Sequence, residues 1–77
     1  MNGACAGIGL AFALTCDVRI CDEGTKLATA FSRRGLIAEH ATSWTLPHLV
    51  GTGNAMRLLA SGETILSDEA FRMGLVQ

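Results

Sequence analysis

A chain of 77 residues holds one domain at most, and a lone domain of that size buries only about 60% of the surface its unfolded chain exposes. Of these residues 49% are hydrophobic, 17% charged and 5% aromatic, so the apolar surface is largely aliphatic and calls for a second layer to cover it. A net charge of −1, with Arg19, Lys26, Arg33, Arg34, Arg57 and Arg72 scattered along the chain, leaves no basic stripe for a nucleic acid or an anionic membrane surface.

In chain order, the uncharged run from Ala4 to Thr15 falls short of the ~20 residues a membrane-spanning helix requires. No basic stretch precedes it as in a secretory signal, and the expected location is cytoplasmic. Gly7 to Thr15 is apolar on all sides and predicts a buried helix entered through glycines. Cys16 to Cys21 alternates as a strand would, with Val18 and Ile20 on one face and Arg19 on the other, ahead of the turn-forming Asp22, Glu23 and Gly24. Lys26 to Phe31 predicts a second extended segment. A helix is expected over about Ala41 to Leu49, although Pro47 removes one backbone donor from it. Thr52 can cap a helix from Gly53 to Ala60 that ends at Gly62, and Glu63 to Leu66 reads as a short strand or an extended link. Ser67 followed by Asp68 and Glu69 marks a last helix start, which Gly74 stops.

The resulting α/β order, β–turn–α–β–β–α–α–α, has short joints and neither repeat nor linker, so residues 1–77 read as one unit without an internal boundary. Three cysteines, Cys5, Cys16 and Cys21, are an odd number inside apolar segments and read as buried reduced thiols. Cys16 and Cys21 stand too far apart for a CxxC pair, His40 and His48 form no HxxxH pair, and no metal is implied.

Two stretches carry more than fold. The run Asn2-Gly3-Ala4-Cys5-Ala6-Gly7-Ile8-Gly9 continues through Leu14-Thr15-Cys16-Asp17-Val18-Arg19-Ile20, and the chain closes on Glu69-Ala70-Phe71-Arg72-Met73-Gly74-Leu75-Val76. A glycine-rich turn opening a helix points backbone N–H groups at an approaching anion, and the helix dipole adds to their field. The competing reading is that Gly7 and Gly9 only allow strand and helix to pack closely. A dinucleotide fingerprint lacks its third glycine and its distal acid.

Together with Phe31 to Gly35, Leu46-Pro47 to Gly51 and Ala55 to Gly62, these segments resemble the crotonase (enoyl-CoA hydratase/isomerase) superfamily over the whole chain. The resemblance implies the central part of a ββα spiral, an oxyanion hole in which the N–H of Ile8 is one donor, and a pocket for an acyl-CoA thioester near Gly7, Gly9, Phe31, Leu36 and Trp44. It implies no redox or metal cofactor, and a homotrimer or hexamer for the full-length protein. The two glutamates that flank water in the family's hydratases correspond here to Ala11 and Phe31, neither of which transfers protons. The isomerase branch uses a single acid a few residues after the glycine equivalent to Gly35, and Glu39 stands there, expected among Leu36, Ile37 and Trp44 with its pKa raised by apolar neighbours. Its alternative is a surface charge at a helix start. Arg33 and Arg34 are candidates for a coenzyme A phosphate, though neighbours on an extended segment point to opposite faces. The function expected is therefore enolate stabilisation by an isomerase or hydratase-type enzyme segment. The alternative is a non-catalytic remnant or subunit-contact piece.

Overall fold

Three short strands organise the chain, and the middle one is bonded on both sides. The computed structural model describes residues 1–38 and 40–77. Strand β1, Cys5–Ala6, runs parallel to β2, Lys26–Ala28, with Cys5 opposite Leu27; β2 runs antiparallel to β3, Thr64–Leu66, with Leu27 opposite Ile65. Between the parallel pair lies helix α1, Ile8–Leu14. A 3₁₀ turn, Ser32–Arg34, leads to α2, Thr42–Val50, and α3, Thr52–Ser61, which are joined only through Gly51. Helix α4, Ser67–Arg72, follows β3 without a joint.

The core gathers one face of each element. Leu10 and Leu14 of α1, Leu27 of β2, Leu46 of α2, Leu58 of α3, Ile65 of β3 and Ala70 of α4 are all buried together. Each large aliphatic side chain so covered contributes roughly 1.5–3 kcal/mol. Helix α1 is not buried all round as its composition predicts: Leu10, Ala11 and Leu14 face inward, whereas Ile8 and Phe12 are exposed, because the chain supplies a packing layer on one side of α1.

The strand expected at Cys16 to Cys21 does not form. The backbone of Arg19 bonds to Gln77, donating to its Oε1 at 2.9 Å and accepting from its N–H at 2.7 Å, while the amino group of Met1 reaches the Ile20 carbonyl at 2.7 Å. These single contacts with the chain ends replace a ladder. Val18 and Ile20 are left exposed and Arg19 is turned inward, 6% exposed, donating from Nε to the Leu75 carbonyl at 2.7 Å and from Nη1 to the Cys16 carbonyl. Arg19 thus makes structural hydrogen bonds from irregular backbone. Of the cysteines, Cys5 is buried, and burial pushes its thiol pKa up; Cys16 is exposed, correcting the expectation of buried thiols, because it follows α1 on the open side.

Helix ends obey glycine more than hydroxyls. Gly62 closes α3 at φ 64° and Gly74 follows α4 at φ 85°, both left-handed as predicted. Thr52 is the first residue of α3 rather than its cap, a place taken by Gly51, and Ser67 is the first residue of α4, its Oγ accepting from the Gly24 N–H at 2.8 Å. Pro47 sits inside α2 without ending it. The missing donor leaves only the carbonyl of the exposed Ser43 without its helical partner, a group that water can satisfy.

On the face formed by α3 and α4, Arg57 bridges two carboxylates, Nε to Glu63 at 2.6 Å and Nη1 to Glu69 at 2.7 Å. The hydrogen bond from Arg57 holds the Glu63 carboxyl below its usual range. A depressed carboxyl stabilises the fold above the unfolded carboxylate pKa of about 4.3, and that contribution disappears as pH falls through the lower folded value. Glu63→Gln should therefore lower the urea midpoint slightly near neutrality and leave it unchanged at acid pH, where the carboxyl is protonated, so that the acid side of a plot of midpoint against pH is flattened. Arg19→Met, which keeps the stem and removes the donors to the Leu75 carbonyl, is expected to lower stability by about 1–3 kcal/mol in urea titrations.

Candidate functional site

The turn that ends β1 carries the conformation on which the site rests. Gly7 has φ 54° and ψ −125°, and its N–H donates to the Ala28 carbonyl at 3.0 Å. An L side chain is strained in that region of the backbone map. Space is not the reason for glycine, since an added Cβ would meet only the Thr29 carbonyl at 4.0 Å. The first intrahelical bond of α1 runs from the Ala11 N–H to the Gly7 carbonyl at 3.0 Å, so the N–H of Ile8 lies ahead of the helical ladder.

Opposite this turn, the chain leaving β2 bends sharply. Thr29, buried, donates through Oγ1 to the Leu58 carbonyl at 2.8 Å and ties the strand exit to α3. Ala30 then takes φ 62°, rare for a residue with a Cβ, and Phe31 is turned inward, 5% exposed. Between the two turns lies a cavity of about 330 Å³. Ala6, Gly7 and Ile8 form one wall of it and Thr29, Ala30 and Phe31 the other. Arg34, Leu36 and His40 complete its lining. His40 and Ala41 carry φ 55° and 60°, and the His40 ring stacks on Phe12 of α1 at 6.4 Å between centroids. Two non-glycine residues with positive φ, Ala30 and His40, thus line this one space, the kind of backbone strain that accumulates where a site is shaped.

Of the residues expected at the site, Gly7, Ile8, Phe31 and Leu36 line this cavity. Gly9 is one step further along α1, exposed and outside the lining. Trp44 lies on α2, 65% exposed, stacked on His48 at 4.1 Å and likewise outside the lining. Glu39 falls outside the described residues. Three residues beyond it, Thr42 is 1% exposed and its hydroxyl has no hydrogen-bond partner among the described residues. Ala11 is buried in the core and not at the cavity. The two arginines part: Arg33 lies over Gly62, where an added Cβ would come within 2.9 Å of its Cγ, while Arg34 borders the cavity. Sequence reasoning did not single out Ala30, and no composition signal marks an alanine that must adopt positive φ.

A parallel β–α–β step opens on a glycine turn beside a mostly apolar cavity, the setting in which small-molecule sites commonly lie. The family model for enoyl-CoA hydratase/isomerase matches residues 1–77, and the chain belongs to that family. Among its curated relatives, a probable enoyl-CoA hydratase of Rhodobacter capsulatus is 41% identical over 99% of this chain and 30% of its own length. The 1,2-epoxyphenylacetyl-CoA isomerase of Escherichia coli is 34% identical over 99% of this chain and 29% of its own. A Thermobifida fusca protein described as an enoyl-CoA hydratase, crystallised in complex with CoA, superposes with a TM-score of 0.92 at 31% identity, over 97% of this chain and 29% of that one. The fold is therefore that of the crotonase family, and the chain spans between a quarter and a third of the length of these relatives.

Gly7→Ala should lower stability by about 1–3 kcal/mol through backbone strain alone, read from denaturant midpoints.

Proposed function

We propose that these residues are the oxyanion segment of an acyl-CoA enzyme that isomerises or hydrates an enoyl thioester. The observation that carries this reading is the Ile8 N–H, ahead of the first intrahelical bond and on the wall of a cavity otherwise lined mainly by apolar residues. A thioester oxygen accepting this N–H gains negative charge as the C2 proton leaves, so the bond strengthens toward the enolate. One such donor is worth on the order of 2.7–4 kcal/mol in the transition state. The second donor, as the family resemblance implies, comes from outside this chain.

Glu39 is the single acid/base in this reading. It removes a proton from C2 and returns it to C4 while the dienolate oxygen is held, which moves the double bond without adding water. Ala11 and Phe31 at the positions of the hydratase pair favour this branch over hydration, because neither positions a water. Leu36 completes the substrate-binding group with Gly7 and Phe31 at the cavity, with no metal or redox cofactor, and the enzyme assembles as a homotrimer or hexamer in the cytoplasm. No helix among the described residues is long and apolar enough to cross a membrane. A non-catalytic piece that only completes a subunit contact is the second reading, favoured by the same Ala11 and Phe31.

Glu39→Gln in the enzyme carrying this segment, assayed on a 3-enoyl-CoA, is expected to slow turnover by about 10²–10⁴-fold with little change in affinity for the thioester. Exchange of the C2 proton with solvent at the unsubstituted rate would move the base outside this chain.

A further inference from the structure

The cavity is not uniformly apolar, and its polar groups stand together. Arg34 is the one charged residue among those described in its lining, and it makes no ion pair or side-chain hydrogen bond among the described residues. His40 lines the same cavity, its ring set against Phe12. Among the described carboxylates, Glu63 and Glu69 pair with Arg57 and Asp68 with Arg72 at 3.5 Å, so none of these three neutralises Arg34. Arg34 is also held at the cavity from below. Arg33 lies over Gly62 and Phe31 is buried, so the 3₁₀ turn between them has a fixed roll, and Gly35 closes it at φ 68°.

We propose that Arg34, with His40 beside it, selects acyl thioesters whose chain ends in a carboxylate over those ending in a methyl group. This rests on the acyl-CoA reading above. Ile8 and Arg34 line the same cavity of about 330 Å³, so a group on the acyl chain can meet Arg34 while the thioester oxygen sits at Ile8. The phosphates of coenzyme A are a whole pantetheine arm away from the thioester sulfur. A guanidinium matches a carboxylate with two parallel N–H donors, and a bound chain shields the pair from water, which raises its worth above that of an open surface pair.

The test is the affinity of two unreactive thioesters, glutaryl-CoA and butyryl-CoA, for the enzyme carrying this segment and for its Arg34→Met and Arg34→Lys variants, by calorimetry. The unsubstituted protein should bind glutaryl-CoA roughly tenfold more tightly, Arg34→Met should level the two without changing butyryl-CoA binding, and Arg34→Lys should restore part of the preference. Equal affinity of both thioesters for the unsubstituted protein overturns the proposal. So does an equal loss on both in Arg34→Met, and if coenzyme A alone shows that loss, Arg34 meets a phosphate. Failure of either thioester to bind at all overturns the acyl-CoA reading itself, and this inference with it.

Discussion

The hydrogen bond from the Gly7 N–H to the Ala28 carbonyl, 3.0 Å long, is the contact on which the rest of the site depends. It closes the parallel pairing of β1 with β2 and, at φ 54°, turns the chain directly into α1. The Ile8 N–H comes free at the cavity wall because the turn happens there and not a residue later. On the other side, β2 cannot slide away: it is paired along its whole length with β3, and Thr29 anchors its exit to Leu58. The cavity is the space between two chain reversals that share one strand.

That strand is short, so its position is held by packing. Leu27 lies at its centre, buried with Leu46, Leu58 and Ile65 from three other elements. Sheet hydrogen bonds largely exchange for bonds to water, whereas each of these side chains gains roughly 1.5–3 kcal/mol from burial. The aliphatic core therefore decides where the ladder sits. The same economy of layers leaves Phe12, Val18, Ile20 and Phe71 exposed, since the chain covers its sheet and helices on one side only.

Charge is divided in the same way. Arg57 gathers Glu63 and Glu69 on the face of α3 and α4, in solvent, where screening keeps such pairs weak. Arg19 is the opposite case, a buried guanidinium bonded to backbone carbonyls, tying residues 75–77 to the segment after α1. Its hydrogen bonds cost more to break than a surface pair, because the carbonyls it serves would lose their partner away from water.

The sequence alone determined what depends on local conformation. Gly7, Gly62 and Gly74 were legible because a positive φ is a property of one residue, and with them came the start of α1 and the ends of α3 and α4. The family followed from the order and spacing of those same motifs. What needed tertiary structure was every choice between equivalent partners. Ser67 had the composition of a cap, yet its hydroxyl went to Gly24, far away in sequence; Cys16 to Cys21 alternated like a strand, yet found Gln77 and Met1 in place of a ladder. Arg33 and Arg34 are identical in type and adjacent, and only the roll of the turn against Gly62 sends one to α3 and the other to the cavity. A side chain's partner is fixed by atoms brought together from distant parts of the chain, and no local pattern encodes which of them arrives first within hydrogen-bonding reach.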